Sequence, residues 1–475
     1  MRWTAKRFQG LGLLLLFGGL SACASADLDR SLAHTNAQAG DFTHAELTLA
    51  RDAGQRDALA RKASELLARP LSEEAAVQLA LVNSPAFQFL LASNWALAAD
   101  AAQSGRLANP VFTYERIRVL DELEIGRMLS VGLVDLLTFP LRQGVARARL
   151  AAADVRLTRD VVRQVTEVRK AWVRAVAAIE RQGYARQVLE AAEASAELAR
   201  RMHQAGNFTT VQRARQQVFY ADAATQLALA RHAATAGREE LIRQLGLGAS
   251  QVSLLKLPER LSDLPALPRP PEDVASSARS GNLDVQLAQA EFQAATRAQG
   301  LGQVTSLLDV EAGLRRDTVE DREADARDTA WGYELDLTLP LFDWGDMRRA
   351  GMSARTLAAG HELEAALRGT ESRLREVYSA YRTTYDIARH YREEIIPLTQ
   401  VLGEENVLRY NAMLIGVFEL LADARDQIRA VMAGIAAAEQ FWLADAALQA
   451  VIMGAAAGGA ISGPAPPGEV VDVGH

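Results

Sequence analysis

The sequence predicts an α+β membrane protein, built mostly of long α-helices with four β-strands per chain and arranged as two internal repeats. Three observations carry this. Residues 145–204 run for 60 residues without a proline and with Gly183 as the only glycine. From Trp331 to Leu341 the odd positions are Trp, Tyr or Leu, while Gly332, Glu334, Asp336, Thr338 and Pro340 lie between them. Features near residues 70 and 140 recur about 200 residues later, a period too long for a solenoid and suited to duplication of one large unit.

The N-terminus comes first in the chain. Arg2, Lys6 and Arg7 form a positive region, and Leu11 to Phe17 form an apolar stretch too short to span a bilayer. It ends in Leu20-Ser21-Ala22-Cys23, small residues that a signal peptidase accepts, followed at once by the one cysteine in the protein. This resembles a bacterial lipobox and makes Cys23 the expected lipid attachment site; the alternative is an ordinary secretory signal with an incidental cysteine. A single cysteine also excludes an intrachain disulfide. Residues 1–22 hold three basic residues and no acid, so their removal takes the formal charge from -7 to -10. A net acidic chain without a basic block argues against nucleic-acid binding. The segment after Cys23, to about Asp41, is expected to be extended.

Each half then follows the same order. A helix is expected from Ser72 to about Gly105, and again from Glu272 to about Gly302; Ser72 followed by Glu73 and Glu74 is a helix start. Two strand-like segments follow: Asn109–Val119 and Leu129–Phe139 in the first half, with Asp135 interrupting the apolar face, and the alternating residues around Leu308–Arg315 and Trp331–Leu341 in the second. About ten alternating residues is the length of a tilted transmembrane strand, although a soluble sheet with one wet face has the same pattern. The long helix follows, 145–204 or 346–411, with Pro397 and Gly403 expected to kink or break the second. A continuous 60-residue helix would run roughly 90 Å. Short breaks near 205–208 and 412–415 precede the returning helices. Recurrence of Arg69-Pro70 as Arg269-Pro270, and of Phe139-Pro140-Leu141 with Gly144 as Leu339-Pro340-Leu341 with Gly345, aligns the halves.

The division that results is 1–22 signal peptide, 23–69 lipidated N-terminal segment, 70–246 first repeat, 247–271 proline-rich linker, 272–453 second repeat and 454–475 flexible tail. Four transmembrane strands cannot close a barrel, and open edges are not tolerated in lipid. The helices likewise cannot bury their apolar stripes within one pair. A ring of copies meets both demands, with the strands forming a β-barrel and the helices a hollow α-barrel.

At this point a family resemblance is specific. Leu339-Pro340-Leu341-Phe342-Asp343-Trp344-Gly345 resembles the signature that opens the long helix in the second half of TolC/OprM-type outer-membrane efflux channels, the outer-membrane factor lipoproteins. Pro70-Leu71-Ser72-Glu73-Glu74-Ala75 through Asn83-Ser84-Pro85 is similar to their opening, and Gly105 to Pro110 to the entry of their first strand. Arg409-Tyr410 with Leu420-Leu421 and Ala424-Arg425 resembles their second tip, departing from it at Met413 and Gly416, where Gly and Ser are usual. The resemblance covers roughly residues 70–450. It implies a homotrimer with a 12-stranded barrel in the outer membrane and a periplasmic α-barrel. It implies as partners a periplasmic adaptor and an inner-membrane pump, with this chain as passive exit duct, lipid-anchored in the outer membrane.

The resemblance also suggests site residues. Glu419 falls where relatives set the first acid of the closed entrance; Asp423, one turn on, is displaced by one residue from their second. Three-fold rings of Glu419 and Asp423 would form an acidic pore constriction; the alternative is two solvated helix-surface acids. Arg201 and Arg409, near the tips, are gating candidates through ion pairs between helices, against weak surface pairs. Asp317, Glu320, Asp321, Glu323, Asp325 and Asp328 read as a wet acidic loop. Tyr378, Tyr381 and Tyr385, at helical spacing, read as packing rather than a ligand box. The histidines form no HxxxH pair, and no nucleophile elbow or phosphate-binding loop is present, so no catalytic, cofactor or metal residue is expected. The competing function is a structural periplasmic helical lipoprotein scaffold without a pore. The substrate class is not legible.

Overall fold

The computed structural model describes residues 27–119, 122–306, 309–321, 326–339 and 341–455. Cys23, the signal peptide and most of the tail lie outside them. In order, the chain forms α1 (Leu28–Thr43), α2 (Ala53–Leu67), α3 (Glu73–Asn83), α4 (Pro85–Gln103), β1 (Val111–Val119), β2 (Glu122–Gly132), α5 (Leu133–Gln204), α6 (Thr210–Leu245) and a short α7 (Ala249–Val252). Then come α8 (Pro271–Ser280), α9 (Leu283–Thr305), β3 (Asp309–Asp321), β4 (Ala326–Thr338), α10 (Asp346–His390), a π-helical turn (Tyr391–Ile395), α11 (Ile396–Asn411) and α12 (Val417–Ile452). Contacts divide these into two compact units.

The first unit comprises residues 1–31, 93–156 and 285–367 and holds the sheet. The strands pair antiparallel in the order β1-β2-β3-β4. Sequence-distant β2 and β3 meet through Leu129 opposite Leu314, extending the rows made within each hairpin, Phe112 opposite Leu129 and Leu314 opposite Tyr333. The Leu339–Gly345 motif is the corner from β4 into α10. The Asp343 carboxylate accepts the Gly345 N–H at 2.8 Å and Arg348 at 3.0 Å. Gly345 has φ +69°, and a Cβ there would lie 2.7 Å from the Ser306 carbonyl oxygen, so only glycine fits.

In the first half the expected strand over 129–139 is corrected. β2 ends at Gly132 and α5 begins at once, with Pro140 inside it. Asp135, which breaks the alternation, sits in the first helical turn, where the helix dipole favours an acid, and it pairs with Arg142. Thr138 donates to the Val134 carbonyl at 2.7 Å in the same turn.

The second unit comprises residues 32–92, 157–284 and 368–475. On α5, Ala178, Ala185, Ala192 and Ala199 recur every seven residues and are all buried, as are Ala223, Leu227, Ala234 and Leu241 of α6. Gly237 lets the two backbones close, since a Cβ would sit 3.3 Å from Ala175 Cα. A second core joins Tyr381 and Tyr385 to Phe441 of α12, with ring centroids 5.6 Å apart in each pair. The tyrosine stripe also fastens the linker. The Tyr385 hydroxyl donates to the Pro265 carbonyl at 3.0 Å, that of Tyr378 donates to Arg269, and that of Tyr381 accepts the Arg269 N–H. The stretch Glu419–Ile452 is long and apolar enough to cross a membrane, but half of it is buried, with Phe441 and Leu448 wholly enclosed; it is a core helix.

Three further expectations are corrected. The segment after Cys23 is not extended: 28–43 is helical because Leu28, Leu32, Thr35, Ala39 and Phe42 recur at helical spacing and are buried. The first expected helix is two, α3 and α4, bent by 57° at Ser84, before Pro85. Gly403 interrupts nothing, and α11 runs through it; Pro397 is accommodated by the π-helical turn just ahead of it, which frees the carbonyl its ring would strike.

A charge cluster completes this unit. Arg169, 4% exposed, donates to the Phe42 carbonyl at 2.8 Å and to Gln449 at 2.6 Å, and lies 3.5 Å from Glu73. Gln449 donates in turn to Asp445, which meets Arg269 at 3.5 Å. Burial pushes the carboxyls of Glu73 and Asp445 up from the usual range, against the pull of the arginines.

Candidate functional site

The two helical hairpins of the second unit turn through the same geometry. At the first tip the N–H of Gly206 reaches the His203 carbonyl at 3.0 Å and that of Asn207 reaches Met202 at 2.8 Å. At the second, Met413 reaches Tyr410 at 2.9 Å and Leu414 reaches Arg409 at 2.9 Å. Both are helix ends closed by a left-handed residue, Gly206 at φ +80° and Met413 at φ +60°. Phe208 and Ile415, one residue before the cap of each returning helix, are both buried at 9% exposure. Thr209 caps α6, its hydroxyl accepting the Gln212 N–H while the Gln212 side chain accepts that of Thr209. Gly416 caps α12 without a side chain.

This register puts Glu419 in the first turn of α12, where Gln212 stands in α6. Glu419 is exposed and makes no side-chain hydrogen bond or ion pair among the described residues. Asp423 is half-buried and accepts from Asn406 of α11, and the Asn406 oxygen takes Arg409 at 3.3 Å. Gln216, seven residues past its cap as Asp423 is past its own, likewise bonds back to its outgoing helix, through Ser195 at 3.1 Å. Arg425 lies over the Phe219 ring at 4.5 Å and reaches Gln216 at 3.4 Å, joining α12 to α6. Within one chain the two gating candidates pair on their own helices: Arg201 with Glu197 at 2.7 Å, and Arg409 with Asn406. Arg200 and Arg201 together hold the Glu197 carboxyl down at about 2. Asn406 was not singled out from sequence, and Arg425 was read only as part of the second-tip motif; its partner Gln216 lies 209 positions away.

The sheet of the first unit is the other candidate. Residues directly opposite share a face, so the register assigns sides. One face carries Leu335, Tyr333, Leu314, Leu129 and Phe112, then Trp331 and Tyr114. The reverse face carries Glu115, Glu124, Glu311, Asp317, Glu334 and Asp336, with Arg315 among them, 2.9 Å from Asp317 and 3.8 Å from both Glu115 and Glu334. Of the acids read as a wet loop, Asp317, Glu320 and Asp328 lie on the strands themselves; Glu323 and Asp325 are outside the described residues. Among the described residues, no three of His, Cys, Asp or Glu converge as metal ligands.

No family model and no curated protein matches the sequence. Solved structures do match the fold. The outer-membrane channel OprN aligns with a TM-score of 0.63 at 17% identity, over 84% of this chain and 91% of that one. The outer membrane protein VceC of Vibrio cholerae aligns at 0.65 and 14%, over 83% and 96%. The outer membrane channel CmeC of Campylobacter jejuni aligns at 0.65 and 12%, over 85% and 87%. The chain has the fold of the TolC/OprM-type outer-membrane efflux channels: long helices with a four-stranded antiparallel sheet.

Proposed function

We propose that this chain is the outer-membrane exit duct of a tripartite efflux system, passing substrates from a periplasmic adaptor and an inner-membrane pump to the exterior without catalysing a reaction. The observation that carries the reading is the sheet. β1 and β4 are unpaired edges within the chain, and the alternation of direction lets β4 of one copy meet β1 of the next antiparallel. Three copies would close a 12-stranded barrel with the apolar face toward lipid and the acidic face toward the lumen. Strand β4, Ala326–Thr338, spans about 41 Å of extended chain, roughly 29 Å of height at a 45° tilt, enough to cross the apolar band of such barrels.

In this reading the hairpin tips form the entrance. Glu419 supplies a ring of carboxylates, while Asp423 is held by Asn406 and Arg409, whose rearrangement accompanies opening; Arg201 is held by Glu197. Cys23 carries the lipid anchor. A strain lacking the chain, complemented by wild type or by Glu419→Ala, is tested against metal salts, cationic dyes and antibiotics. Hypersensitivity to one class, rescued by wild type, supports efflux and identifies the substrate class. A purified protein that forms no heat-resistant trimer, conducts no ions in bilayers and remains peripheral would instead favour the helical scaffold.

A further inference from the structure

The apolar face of the sheet changes character toward its loop end, next to the connections at 120–121 and 322–325. The row Phe112, Leu129, Leu314 and Tyr333 is wholly apolar. The next row is Tyr114, Arg127, Arg316 and Trp331. Beyond it, Arg116 and then Arg118 continue on β1, and Arg127 and Arg316 are followed on the outer strand by Arg327. The only acid in these rows is Glu320, 3.5 Å from Arg327. The reverse face has the opposite sign.

Apart from Arg327, these guanidiniums form no ion pair among the described residues. Arg116 and Arg118, two residues apart on one strand and so on one face, meet no acidic side chain among the described residues. Arg316 lies 5.0 Å over the Trp331 ring, and Arg127 reaches only the Thr318 hydroxyl, at 3.4 Å. Arg127 and Arg316 are direct cross-strand partners, an arrangement of like charges that costs stability unless an anion lies against both. The order apolar, aromatic, basic is that of a surface crossing from hydrocarbon into headgroups. Planar guanidinium forks match phosphate oxygens in pairs.

We propose that Arg116, Arg118, Arg127, Arg316 and Arg327 form a docking surface for lipid headgroups that carry anionic phosphomonoesters, which bridge the facing arginines and fix the depth of the sheet in the membrane. This rests on the reading of the apolar face as lipid-facing. The test uses the full chain and vesicles of phosphatidylcholine alone or with a tenth of diphosphorylated lipid A. Flotation with the plain vesicles tests membrane insertion by itself. Lipid retained after detergent extraction, counted by native mass spectrometry, tests the arginines.

The expected result is flotation with both vesicles and selective retention of the phosphorylated lipid. Retention should weaken roughly thirtyfold in Arg127→Gln/Arg316→Gln and in Arg116→Gln/Arg118→Gln. It should be unchanged in Arg315→Gln, on the other face, and intermediate in Arg127→Lys/Arg316→Lys, which keeps the charges without the forks; flotation of each variant is the control for folding. Flotation with no preference for the phosphorylated lipid, or equal retention by the Gln variants, overturns the proposal alone. Displacement of the lipid by millimolar inorganic phosphate overturns the lipid as occupant. Failure to float with either vesicle overturns the membrane reading, and the proposal with it.

Discussion

Met413 occupies, at the second hairpin tip, the left-handed position that Gly206 occupies at the first. The backbone bonds of Ala205, Gly206 and Asn207 have counterparts at Ala412, Met413 and Leu414, so the second turn is held in a conformation that opposes its own side chain. A Cβ at 206 would meet nothing within 4 Å, so the difference between the tips is backbone strain and not crowding. Met413→Gly is expected to stabilise the second tip by about 1 kcal/mol, and Gly206→Ala to destabilise the first by a similar amount. Amide exchange over 200–210 and 407–417 reads each tip separately.

The caps of the returning helices differ in the same sense. Thr209→Ala removes a hydroxyl from the Gln212 N–H and should cost about 1 kcal/mol; Gly416→Thr should gain only a few tenths. Urea midpoints of the purified protein, compared with tip amide exchange, check both. If Thr209→Ala leaves exchange at 210–213 unaltered, the capping box contributes nothing to the tip.

Glu419 and Asp423 should behave differently in a bilayer. Glu419 is unpaired among the described residues, so Glu419→Ala should lower the cation-over-anion permeability ratio and weaken its dependence on salt. Asp423 is occupied by Asn406, so Asp423→Ala should act mainly by loosening α11 from α12 and raising the frequency of opening. Reversal potentials in a salt gradient and single-channel dwell times separate the two. Equal shifts in selectivity would contradict the assignment.

Arg169→Ala should be severe, because it leaves the Phe42 carbonyl and Gln449 without a donor and the Glu73 carboxylate without its arginine, while Asp445 keeps only Arg269 nearby; the expected loss is about 3 kcal/mol at neutral pH. The folded carboxyls of Glu73 and Asp445 are raised, so the folded state holds their protons more tightly than the unfolded one. Their contribution to stability therefore grows as pH falls toward the raised values and is lost as pH rises through them. The variant's deficit should accordingly shrink on acidification. Denaturation of wild type and variant at neutral and mildly acid pH gives the comparison.

Glu197 titrates in the opposite sense. Its carboxyl is held at about 2 by hydrogen bonds from Arg200 and Arg201, against an ordinary value near 4.5. The contribution of that pair is complete above 4.5 and is lost as pH falls toward 2. The end of α5 should fray in that window, and Glu197→Gln should abolish the pH dependence; amide exchange at 197–206 is the measurement.

What was legible in the sequence follows from the range of the forces involved. Strand β4 could be read because its alternation from Trp331 onward is a local period of two, and the tips because the breaks at 205–208 and 412–415 match in position, though weakly in residues. Strand β2 was misjudged because Val134, Leu136 and Leu137 suit either period, and Asp135 resolves the choice only through Arg142, seven residues on. Helix α1 was missed because its mean hydropathy is low and its spacing of apolar residues is recognisable only once a partner surface is known. The Arg169 cluster draws together residues up to about 400 positions apart, and Arg425 meets Gln216 more than 200 positions away. No local pattern encodes such pairings. The lipid site proposed at Cys23, a strictly local motif, is the reverse case: it is read from sequence alone and lies outside the described residues.

The unpaired edges of β1 and β4 have a genetic consequence. A chain whose edge cannot pair does not merely fail by itself; in the proposed ring of three it would also strand the two sound copies beside it. When defective and wild-type chains are made in equal amounts and mix at random, only about one ring in eight is wholly wild type. Edge-strand variants of this protein should therefore be dominant when co-expressed, whereas variants in the helical core, which prevent a chain from joining any ring, should be recessive.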